Sequence, residues 1–108
     1  MAQNMTEKQR SFNAEFGIRL EAVRMHLGLK KEEMAEKLGI AGATYSQAIR
    51  GQSMPSTHRI ESIVDLGISS DWLFFGKLGN MPKDIENSLV NYALIAEENI
   101  RASNKPRE

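Results

Sequence analysis

A glycine flanked by two short periodic segments constrains this chain more than any other feature. Between Lys31 and Gly51 the sequence reads KEEMAEKLGIAGATYSQAIRG. Gly39 falls where a helix would end and the backbone must take a positive φ, a conformation that carries no Cβ penalty in glycine. Before it, Met34 and Leu38 stand at i and i+4; after it, Tyr45, Ala48 and Ile49 form a matching apolar side. Ala35 is small where two helices would have to cross closely. Two short helices joined by a tight turn follow from this spacing.

That arrangement is helix-turn-helix geometry, in which the second helix stands out from the body and can enter the major groove of DNA. Ala35, Gly39, Tyr45, Ala48 and Gly51 fall at marker positions of the Cro/CI (XRE-like) family of phage-repressor and bacterial regulator domains, which the chain resembles. A second likeness lies downstream, where Ser70-Asp71-Trp72-Leu73-Phe74-Phe75-Gly76 resembles the DWL-x-x-G segment that closes the DNA-binding domain of many phage CI-type repressors. Together the two cover roughly Phe12 to Gly79. The resemblance implies an all-α fold, a compact five-helix lambda-repressor-like domain, here with an additional C-terminal helix, and a regulator of phage or prophage type.

With 108 residues there is room for one core and an appended helix. Hydrophobic residues at 41% and charged ones at 26% suit a folded globular chain, and no segment is apolar enough to span a membrane. Cysteine is absent, which removes disulfides, thiolate chemistry and cysteine zinc sites and fits a cytoplasmic protein. His26 and His58 lack metal-ligand spacing, so no metal, cofactor or small-molecule ligand is expected. Basic and acidic side chains balance at 14 each. Between Lys30 and Arg59 the basic residues nonetheless exceed the acidic ones, so the positive charge coincides with the motif. The excess is small, and phosphate attraction for a monomer should be weak.

Residues 1–11 are polar and read as a flexible N-terminus. From Phe12, the series Phe12, Phe16, Leu20, Val23, Leu27 marks one face of a first helix, within a domain spanning 12–79. Relatives often carry an arginine at the place of Arg24, paired with a glutamate where this chain has Ile49. Arg24 must instead turn to Glu21 or Glu33, or reach a phosphate. Pro55 precedes a fourth helix with Ile60, Ile63, Val64 and Leu66 on its inner face, and Trp72, Leu73 and Phe75 of the fifth are expected in the core. Over 80–103 a last helix carries Ile85, Leu89, Tyr92, Ala96 and Ile100 on one side. This stripe must find either the domain's own flank or another chain, and dimerisation is the expectation. A chain cut after Gly79 should then keep a complete core. Residues 104–108 read as a disordered tail.

The third helix opens on Ala41, Gly42 and Ala43, which offer base edges no side-chain donor or acceptor. Reading would fall to Thr44, Ser46, Gln47 and Arg50, with Ala43 against a thymine methyl. Gln47 can pair with adenine in bidentate fashion, while Arg50 suits a phosphate or guanine. Tyr45 reads as core. Lys31 is either a solvated helix start or, as the resemblance implies, a backbone contact. Thr57 is an N-cap, a phosphate contact beside Arg59, or both.

The expected function is a sequence-specific regulator of double-stranded DNA, repressing from a palindromic operator as a homodimer. The alternative is an antitoxin-like or antirepressor module whose helix-turn-helix body binds another protein. An enzyme is not expected: no cysteine, phosphate-cradling glycine loop, paired histidines or nucleophile–base pair is present to carry chemistry.

Overall fold

In the computed structural model, which describes residues 5–104, the first helix begins at a threonine. The Thr6 hydroxyl accepts from the Gln9 N–H at 3.0 Å, and α1 runs from there as Glu7–Leu27. The flexible stretch expected over 1–11 is therefore corrected from Glu7 onward, while residues 1–4 lie outside the described ones. Five further α-helices follow among the described residues: α2 (Lys31–Leu38), α3 (Gly42–Ile49), α4 (Glu61–Val64), α5 (Ser70–Phe75) and α6 (Lys83–Ser103). A 3-10 turn at Thr57–Ile60 leads into α4.

Helix ends are set by local chemistry. The Glu33 carboxylate accepts from the Lys30 N–H at 2.7 Å at the start of α2. At its other end Gly39 takes φ +72°, and the amides of Gly39 and Ile40 reach back to the carbonyls of Glu36 and Ala35. The turn that defines the motif is thus a hydrogen-bonded C-cap, and α3 departs from it at a fixed angle.

Phe16, Leu20 and Val23 of α1 are fully buried against Met34 and Leu38 of α2, Tyr45 and Ala48 of α3, and Ile63, Trp72 and Leu73 of the later helices. Two expectations are corrected here. Val64 and Leu66 are about two-fifths exposed, because α4 is a single turn and the core contact passes to Ile68. Phe75 is 62% exposed; Phe74 takes the inner place and stacks on Phe16 with ring centroids 5.3 Å apart.

The largest correction concerns α6, which lies along α1 as that helix's most extensive neighbour. Leu89 and Ala96 are completely buried within the single chain. Ile85, Tyr92 and Ile100 are half-buried against the same core. The stripe expected to join two chains is consumed by α1, and His26 Nδ1 meets Ser88 Oγ across the seam at 2.7 Å. The core is not complete at Gly79, since α6 supplies one of its fully buried leucines. On its outer side α6 leaves Val90, Leu94 and Ile95 exposed, like Phe75 on α5. The Asn104 amide closes α6 on the Ile100 carbonyl at 3.0 Å, and the rest of the expected tail, 105–108, lies outside the described residues.

Candidate nucleic-acid interface

The second helix of the motif, α3, is held from behind by α1, through a face that carries little hydrophobic signal. Asn13, Gly17 and Glu21 follow one another at four-residue spacing, and all three are buried. At Gly17 a Cβ would come within 2.6 Å of the carbonyl oxygens of Ala48 and Ile49. Only glycine lets the C-terminal turn of α3 rest on α1 at that distance.

One turn further on, the Tyr45 hydroxyl donates to Glu21 Oε1 at 2.6 Å. Arg24 holds the same carboxylate with two bonds, Nε to Oε1 at 2.8 Å and Nη2 to Oε2 at 3.0 Å. Its Nη1 also donates to the Leu29 carbonyl at 2.7 Å, in the connection that leads to α2. Arg24 therefore takes the first of the three courses open to it. Burial pushes the Tyr45 phenol well above its ordinary range, and the adjoining Glu21 carboxylate adds to the shift. The hydrogen bond to Glu21 likewise raises Arg24. Tyr45 thus remains a proton donor, and Arg24 a cation, at any physiological pH. The cluster ties α1, the α1–α2 connection and α3 into one unit.

With Tyr45, Ala48 and Ile49 turned inward, the opposite face of α3 is fixed by helical geometry. Ala43, Gln47 and Arg50, at i, i+4 and i+7, form an exposed line, and Thr44 and Ser46 flank it half-buried. Ala41 and Gly42 are exposed at the start of the helix, where Ala41 provides no side-chain cap. No side chain obstructs a close approach of this end to another surface.

Lys31, at the first turn of α2, shares a hollow with Ser46 and Arg50. Neither cation is in an ion pair among the described residues. Thr57 and Arg59 are placed elsewhere. Thr57 opens the 3-10 turn, where Ser56 is the cap residue. The Arg59 guanidinium lies over Gly39, where a Cβ would come within 2.5 Å of Nη1. This position at the C-terminal end of α2 suits a cation on the helix dipole. The hollow beside it also holds Lys37, Glu36, Glu61 and Asp65. Arg59 thus lines a different hollow from Lys31 and Arg50.

Sequence reasoning missed Gly17 and Glu21 as supports of α3. The available signal was the four-residue repeat of small and polar side chains on a helix whose apolar face is already accounted for. Among the described residues no group of three or more His, Cys, Asp or Glu could hold a metal ion, and no helix is long and apolar enough to cross a membrane.

A model of the helix-turn-helix family matches residues 20–73, half of the chain. The match takes in the last two turns of α1 and continues into α5, and stops before α6. No curated protein and no solved structure gives a significant match.

Proposed function

The chain belongs to the helix-turn-helix family, as a DNA-binding regulator of the Cro/CI (XRE-like) type, and from that membership we propose that it represses transcription by occupying a two-fold operator as a homodimer. The observation that carries this reading is the exposed line Ala43–Gln47–Arg50 on a helix anchored from behind by Gly17 and Glu21. Gln47 reads a base edge, Arg50 and Lys31 neutralise phosphates, and the small residues Ala41, Gly42 and Ala43 let the start of α3 sit deep in the groove. Thr44 and Ser46 serve as short-range contacts on either side.

Since the α6 stripe is spent on α1, the homodimer uses what α6 leaves uncovered, Val90, Leu94 and Ile95. A two-fold contact through this patch presents two reading helices to successive turns of the duplex, about 34 Å apart. Selection of bound duplexes from a random pool tests the reading. A palindrome with half-sites about one turn apart is the expected outcome; a pool that stays random after repeated selection refutes it.

A second reading, an antitoxin-like or antirepressor module that binds a protein, is favoured by the donor-free start of α3 and the zero net charge. Salt separates the two. Phosphate-mediated binding must weaken steeply as salt rises, whereas an apolar protein contact holds.

A further inference from the structure

The C-terminal end of α6 rises beside the reading helix. Asn99 and Ser103 line the same hollow as Lys31, Ser46 and Arg50, a space of about 110 Å³ that draws on α2, α3 and α6. Its one carboxylate is Glu21, whose two oxygens are already taken by Arg24 and Tyr45. Two cations without carboxylate partners and a set of neutral polar groups therefore face a common space. Such a donor set suits an anion.

The position narrows the anion to a nucleic-acid phosphate. Arg50 lies on the exposed line with Gln47, so the hollow borders the reading face. The major groove is about 12 Å wide, and an α-helix with its side chains about 10–12 Å across, so the flanks of an inserted helix meet the phosphate walls. We propose that the C-terminal end of α6 is part of the nucleic-acid interface, with the Asn99 amide joining Lys31 and Arg50 on one backbone phosphate. This rests on the regulator reading above, and extends the interface beyond the residues that the family match covers.

The Asn99 side chain is exposed, and the neighbouring side-chain bonds run elsewhere, from Arg101 to Glu97 and from Ser103 to the Ile100 carbonyl. Its amide is left to donate. The carbonyl end of a helix disfavours an anion. Here the Ile100 carbonyl is covered by the Asn104 amide and the Ser103 hydroxyl. Arg50 also borders a second hollow, on the far side of Ile100, whose carboxylates Glu15 and Glu97 are engaged by Arg19 at 3.7 Å and Arg101 at 2.6 Å.

The test uses the full chain and a random-sequence duplex, with affinity followed by fluorescence anisotropy across a salt series. Asn99→Asp should weaken binding about ten-fold, the scale of one lost hydrogen bond to a charged group. Asn99→Lys should tighten it and steepen the salt slope by about one unit. Asn87→Lys adds the same charge near the other end of α6, about 18 Å away along the helix, and should leave the slope as it is. Unchanged melting temperatures for all three variants keep the comparison free of folding effects. If the wild type binds with steep salt dependence but both lysine variants behave alike, or Asn99→Asp binds as the wild type does, the α6 contact is refuted and the regulator reading stands. If the wild type shows no salt-dependent binding to any duplex, both fall together.

Discussion

Replacing Leu89 by alanine separates a helix that belongs to the fold from one that joins two chains. Leu89 is completely buried within one chain, between α6 and the core that α1 anchors. Leu→Ala at such a site costs about 2–5 kcal/mol, the lost transfer energy plus the cavity left behind. For a chain of this size each kcal/mol moves Tm by about 4–8 °C. The fall should then be at least about 8 °C. Circular dichroism melts of wild type and variant at protein concentrations spanning two decades are the assay. A loss inside the chain is the same at every concentration, whereas loss of a dimer contact lowers the midpoint most at high concentration and flattens its dependence on concentration. Leu94→Ala, just over one turn further along α6 and 64% exposed, should shift stability by no more than about 0.5 kcal/mol at the dilute end of the series, where the proposed two-fold contact is dissociated. A Leu89→Ala protein that melts with the wild type would refute the packing argument and restore α6 as a surface element.

Gln47→Ala should cost about 1–3 kcal/mol on the selected site and little on random duplex, measured by competitive binding; equal losses on both would remove Gln47 from base reading. Lys31→Ala or Arg50→Ala should weaken binding to every sequence and lower the salt slope by about one unit, and an unchanged slope assigns them to solvated surface. Gly17→Ala should destabilise by about 1–3 kcal/mol in a denaturant titration, because the new methyl meets two α3 carbonyls at 2.6 Å. A neutral result there would mean that α3 can move off α1 without cost.

The helix-turn-helix was legible because its requirements are local. A positive φ at Gly39 and an inward Tyr45, Ala48 and Ile49 are properties of residues close in sequence. The start of α1 was missed: its polar first turn hides it from hydrophobic periodicity, and the cap formed by Thr6 with the Gln9 amide is its one local mark. The destination of the α6 stripe could not be read, since apolar residues at helical spacing look alike whether their partner is α1 or a second chain. Val64 and Leu66 were misplaced for a related reason: a helix of one turn is too short for its period to define a face. Arg24 had two carboxylates within reach by sequence. Glu33 was withdrawn by capping the Lys30 amide, and Glu21, on the same helix, remained. The exposed face of α3 followed from α3 alone, whereas the place of Asn99 beside Arg50 depends on how α6 crosses α1.

The Glu21–Arg24–Tyr45 cluster decides how far this protein can be reprogrammed. Everything that anchors α3 points inward, so Ala43, Thr44, Gln47 and Arg50 can be exchanged as a cassette while Tyr45 stays. A whole reading helix transplanted from a relative with glutamate at the place of Ile49 is a different matter. Arg24 is already held by Glu21 through two bonds, so the new carboxylate would find that partner taken. It would instead enter the hollow that Ile49 shares with Lys31 and Arg50 and compete there with a phosphate for both cations. Chimeras should therefore either keep the native inner face of α3 or carry their own α1 with them.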